Sequence, residues 1–170
     1  YKKSEDKMQN LETKLNEMLV KNAPFQLPEG VRKWIAEYAW IFALVGLVLG
    51  VFGALGLLAV LGLVSSVSVA VGATQYVFFA WISLFALIAY LVVLGMAVPK
   101  LKNKQAGGWD LIFYSELAWF AYSVLYALSY IGAGAIFNLL WNVIGLIVSL
   151  YFIFQVREYF KGSKKVAAKK

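Results

Sequence analysis

The 170-residue chain has no cysteine and no histidine. A disulfide framework is therefore impossible, and cysteine usage says nothing about compartment. Zinc sites built from cysteine and histidine, and haem held by either, are excluded. So are nucleophile–base pairs that need a thiol or an imidazole. Charged residues are few, at 15% of the chain, and they leave long stretches with no charge at all. There is no GxSxG elbow, no phosphate-binding glycine loop and no paired-carboxylate site with room for a substrate. "GAGAIFN" at 132–138 has the glycines of such a loop but joins two apolar runs. No catalytic residue, no metal ligand set and no cofactor is expected, lipid aside, and an enzyme is not expected.

Apolar residues dominate instead, at 62% of the chain, against about 45–50% in ordinary globular domains. A span needs roughly 20 apolar residues to cross about 30 Å of hydrocarbon, and four runs are that long. The first covers 39–64; its 26 residues would measure about 39 Å as one helix, so it must tilt or end early. The uncharged small-residue stretch 65–75 reads as a connection. The second run, 76–98, is expected to stop at Pro99. A basic loop leads to the third run, 109–131, a tight turn is expected at 132–135, and the fourth run is 136–156. The expected fold is an all-α membrane protein: an antiparallel four-transmembrane-helix bundle over 39–158. An amphipathic cytoplasmic helix (1–22), a linker and interfacial helix (23–38) and a basic, frayed tail (159–170) complete the chain. The first residue is Tyr1 rather than methionine, as a fragment or processed form would have, and residues 1–30 hold no apolar core of signal-peptide length.

Basic residues fix the expected orientation. Of the sixteen lysines and arginines, seven precede the first run, three follow the second and six follow the fourth. The connections after the first and third runs have none. By the positive-inside rule both termini and the middle loop are cytoplasmic, in a bacterial inner or plasma membrane. The same distribution accounts for the net charge of +7: the cations face anionic lipid rather than nucleic acid. Trp34, Tyr38, Trp40, Trp109 and Tyr130 are expected as interface anchors, with Arg32 and Lys33 at headgroup level.

Several residue groups are candidates for function. Met8, Leu11, Leu15 and Met18 share one helix face, for the membrane surface, the protein's own helices or a short coiled coil with another chain. Gly46 and Gly50 form a GxxxG pair that Gly53 extends, which suits close helix packing within the bundle or between copies. Asn138 and Asn142, spaced i,i+4, suit interhelical hydrogen bonding. Tyr122, Tyr126 and Tyr130 form a second stripe, for core packing or a groove. Asp110 is expected to complement the start of the third helix.

Glu116 is the most informative residue. It lies about 10 Å beyond Trp109 along a helix axis, where an exposed charge costs about 2.5–3.5 kcal/mol. Antiparallel packing suggests a polar cluster of Glu116 with Tyr90, Tyr151 and Gln155, and with Arg157 as countercharge. Three roles are open: fixing helix register, handling a proton or cation, or meeting a missing subunit.

The stretches "GGWDLIFYSELAWF" (107–120) and "IGLIVSLYFIFQVREYF" (144–160) resemble those of uncharacterised small four-span membrane proteins of candidate-phyla bacteria. That resemblance implies a lineage and carries no activity. The expected function is a non-catalytic structural or accessory subunit in the lipid bilayer, assembled with itself or with other membrane subunits. The alternative is a small oligomeric channel or transporter centred on Glu116.

Overall fold

A computed structural model describes residues 2–70, 74–129 and 133–162. Within these, only the backbone is described at 2–6, 64, 66–70, 74–76, 126, 128–129 and 133–135. The described chain is helical: α1 (Lys2–Asn16), a π-helical turn (Glu17–Lys21), α2 (Glu29–Ala70), α3 (Thr74–Lys102), α4 (Ala106–Ser129), α5 (Ala133–Gln155) and α6 (Arg157–Lys161). Among the described residues, three helical stretches are long and apolar enough to cross a membrane: Glu29–Leu63, Val77–Lys102 and Ile136–Gln155.

The boundaries differ from the sequence expectation in physically simple ways. Residues 65–70 do not form a connection; α2 continues through them, and Ser65 turns its hydroxyl back onto the Leu61 carbonyl, so its polar group is satisfied inside the helix. Pro99 does not end α3, which runs on to Lys102. Proline removes one donor, and in the final turn the Pro99 carbonyl still accepts from the Asn103 N–H at 3.1 Å. Of the turn expected at 132–135, residues 133–135 are the first turn of α5.

α2 packs against α3, α3 against α4 and α4 against α5. Each pair is antiparallel, as the neighbours at successive levels record. At the basic end Lys102 lies over the Trp40 ring and the Trp109 indole reaches the Ile153 carbonyl. At mid-level Gly50 meets Leu91 and Tyr90 meets Glu116. Towards the far end Ser83 meets Tyr122, and Ser123 meets Asn142. No comparable packing joins α2 to α5 among the described residues. The four long helices therefore pack in chain order, as an open row among the described residues. An apolar groove of about 500 Å³ separates α2 from α5 at the basic end, where Arg32 pairs with Glu158 of α6 at 3.0 Å.

The core sits at that end. Trp109, Phe113, Phe154 and Phe160 are all but fully buried, together with Ala36, Ala97 and Leu101. Trp109 stacks on Phe113 and meets Phe154 edge-on. The expected frayed tail is packed here too: Phe160 is a core residue, while 163–170 lie outside the described residues.

Gly50 and Gly108 sit where one helix approaches the next closely. A Cβ on Gly108 would lie 2.7 Å from the Leu101 backbone nitrogen. A Cβ on Gly50 would lie 2.4 Å from the end of the Leu91 side chain, which can move. Gly46 tolerates ordinary contact with Leu94, and Gly53 meets nothing within 4 Å. Of the expected Gly46–Gly50–Gly53 face, Gly46 and Gly50 are turned towards α3 and Gly53 is not. Gly108→Ala is expected to cost about 3 kcal/mol or more, since backbone rather than a side chain must shift. Gly53→Ala should change stability by no more than about 0.5 kcal/mol. Thermal unfolding in one detergent compares them; equal losses would mean that the α3–α4 corner is not tight.

Candidate functional site

Two polar centres stand out, about one above the other along α4. The expected cluster of five residues is divided between them and the linker.

The inner centre is Glu116. Tyr90 of α3 donates to its Oε1 at 3.3 Å, and Ser149 of α5 faces the same carboxylate. Glu116 and Ser149 line a cleft of about 530 Å³ between α4 and α5, together with Trp119, Asn138, Asn142 and Gly145. Further along it, the Asn142 amide donates at 2.8 Å to both the backbone and side-chain oxygens of Asn138, and Asn142 Oδ1 accepts from Ser123 at 3.2 Å. The asparagines therefore bond along α5 and across to α4. Asn138 remains exposed, and so do Ile136, Phe137, Leu140 and Trp141 around it.

Tyr151, Gln155 and Arg157 do not join Glu116. Tyr151 donates to the Phe25 carbonyl at 2.9 Å, and Gln155 to the Leu19 carbonyl at 3.0 Å. Both point around α5 to the segment between α1 and α2, Gln155 to the π-helical turn and Tyr151 to the linker after it. Arg157 is the first residue of α6 and is turned towards α1.

The outer centre is Glu12. Its carboxylate is buried and accepts from Arg157 Nε at 2.8 Å, Arg157 Nη2 at 2.5 Å and Lys161 Nζ at 2.7 Å. Lys161 also reaches Asp110 Oδ1 at 2.8 Å. Both cations lie over the Trp109 ring, at 4.5 Å for Lys161 and 5.7 Å for Arg157, positions that the ring quadrupole favours. Burial opposes the charge on Glu12, but hydrogen bonds and attraction from Lys161 and Arg157 outweigh it, holding its carboxyl below the ordinary 4.5. α1 is thus fastened to α6 and α4 by charge.

Of the Met8–Leu11–Leu15–Met18 face, Leu15 packs within the chain, and Leu11 and Met18 stay open to the membrane surface or a partner. Leu15, Leu19 and Val20 reach the core beside Glu12. The π-helical turn at Glu17–Lys21 adds a residue to one turn and so rotates the packing face between Leu15 and Val20. Trp109 is not an interface anchor but a core residue, 2% exposed, because the Ile153 carbonyl takes its N–H at 2.8 Å. Asp110 does not cap α4, which begins four residues earlier; it binds Lys161. Trp34 and Tyr38 are exposed and pack ring against ring, while Trp40 is partly covered by Lys102. Tyr130 lies outside the described residues, and so does the Tyr126 side chain.

A signal for the Glu12 centre was present in the sequence. Glu12 follows Met8 by four residues, and Arg157 precedes Lys161 by four, so each pair shares a helix face. No protein-family model, no curated protein and no solved structure matches this chain.

Proposed function

We propose that the chain is a membrane-embedded accessory subunit that assembles side by side with itself or with another membrane protein, without catalysis. One observation carries this reading: the cleft between α4 and α5 presents Glu116, Asn138, Asn142 and Ser149 on the outside of an open row of apolar helices. Polar groups facing hydrocarbon cost several kcal/mol unless protein or water meets them. A helix from a second subunit laid in the cleft supplies donors and acceptors at little cost.

The reading includes four spans, with both termini and residues 103–105 on the cytoplasmic side. α4 supports a fourth span by running antiparallel between α3 and α5 from Trp109 to Ser123, a placement that gives it their depth. The charge distribution supports the orientation. A bacterial inner membrane fits both.

A second reading, an oligomeric channel or transporter, draws on the same cleft, since Glu116 is its one carboxylate. Native mass spectrometry of protein extracted with its lipids is the first test. The expected result is a complex heavier than one chain, dissociated by Asn142→Leu and weakened by Glu116→Leu. A monomer in both extracted wild type and variants would remove the assembly reading. Cation or proton flux into liposomes that is abolished by Glu116→Gln, with assembly intact, would favour the channel.

A further inference from the structure

The groove between α2 and α5 has apolar walls, formed by Trp34, Ile35 and Phe42 on one side and Phe152 and Ile153 on the other, over Leu101. Arg32, Ile35, Ala39 and Phe42 follow a 3-4-3 spacing along α2, so Arg32 stands on the same face, one turn beyond the lining at the basic end. Its Nη1 binds Glu158 at 3.0 Å. Its Nε is buried and donates to no group among the described residues. A buried donor without an acceptor is destabilising, and the guanidinium edge is shaped to hold a phosphate through more than one N–H. The neighbouring Lys33 is exposed and adds positive charge at the mouth.

The occupant must therefore combine an anionic oxygen with a long apolar body. We infer that the groove binds one glycerophospholipid, its phosphate on Arg32 and an acyl chain between α2 and α5. Glu158 engages a different nitrogen of the same guanidinium, so the ion pair and the lipid are compatible. The site is separate from the α4–α5 cleft, and it does not depend on what fills that cleft.

Phosphatidic acid and the diacylglycerol with the same chains isolate the phosphate. Delipidated protein in detergent is titrated with each, and bound lipid is counted by native mass spectrometry. Wild type should hold one phosphatidic acid at least tenfold more tightly than the diacylglycerol. Arg32→Gln should weaken phosphatidic acid by about tenfold and remove the preference. Glu158→Gln breaks the same ion pair but keeps the guanidinium, and should retain it. Ala39→Trp fills the groove and should abolish binding of both lipids; Ile35→Trp replaces it if circular dichroism shows a misfolded chain. Equal affinity of wild type for the two lipids would overturn the inference. So would equal losses in Arg32→Gln and Glu158→Gln, or a protein dimer without lipid that Ala39→Trp dissociates.

Discussion

Trp109→Ala is expected to destabilise the protein by about 3–5 kcal/mol, the range for deleting a large buried aromatic. The indole is 2% exposed and touches three elements at once. It stacks on Phe113 of its own helix and meets Phe154 of α5 edge-on. Its N–H serves the Ile153 carbonyl at 2.8 Å, one of the last carbonyls of α5, which lack partners within that helix. Its face carries the Lys161 and Arg157 cations. Trp109→Phe separates these contributions, because it keeps most of the apolar body and loses the N–H. That variant should cost about 1–3 kcal/mol, the cost of leaving a buried group unsatisfied. Thermal unfolding in a fixed detergent measures both. A loss below about 1 kcal/mol for Trp109→Ala would mean that the three elements are held together by something else.

The second large effect is at Glu12. Removing both cations with Arg157→Met and Lys161→Met leaves a buried carboxylate without a partner, a situation that costs about 3–5 kcal/mol in protein interiors. The two cations are themselves partly exposed, at 31% and 22%, so solvent screening places the expected loss at the lower end of that range. The loss should be local. α1 has its contacts at this hub and with the adjoining π-helical turn, so its release leaves α2 to α5 in place. Hydrogen exchange at the amides of α1, or proteolysis after Lys14 and Lys21, reads this directly, whereas the main unfolding transition should move less. The depressed Glu12 carboxyl also sets a pH dependence. A group whose folded pKa lies below its unfolded value stabilises the fold above the unfolded value and loses that contribution as pH falls through the folded one. Docking of α1 should therefore be complete above the ordinary 4.5 and be lost on acidification below it. Protection of α1 that is unchanged between neutral and strongly acidic pH would refute charge-mediated docking.

How far the fold is legible in the sequence differs from element to element. Apolar runs locate the long helices, among whose described residues Glu29–Leu63, Val77–Lys102 and Ile136–Gln155 can cross a membrane, because helix formation in an apolar setting is local: each backbone group must find its partner within the same segment. Their ends are not legible at Pro99 and at 65–70, since neither proline in a last turn nor serine bonded back to its own helix interrupts the path. The contact of Tyr90 with Glu116 is foreseeable from equal depth on antiparallel neighbours. The partners of Tyr151, Gln155 and Arg157 are not, because the competing acceptors, Phe25, Leu19 and Glu12, lie more than a hundred residues away in the chain.

The sequence by itself determined the class of this protein: a helical chain with apolar segments of spanning length and with its cations gathered at one end of them. Tertiary structure alone decided that the helices pack in chain order without comparable contact between α2 and α5 among the described residues, that Trp109 is core rather than anchor, and that Arg157 and Lys161 converge on Glu12. The physical reason is the reach of each interaction. Hydropathy and backbone hydrogen bonding act within a segment and leave a periodic trace in it. Ion pairs and ring contacts act across a few ångströms of space, and which residues come that close depends on how whole helices pack.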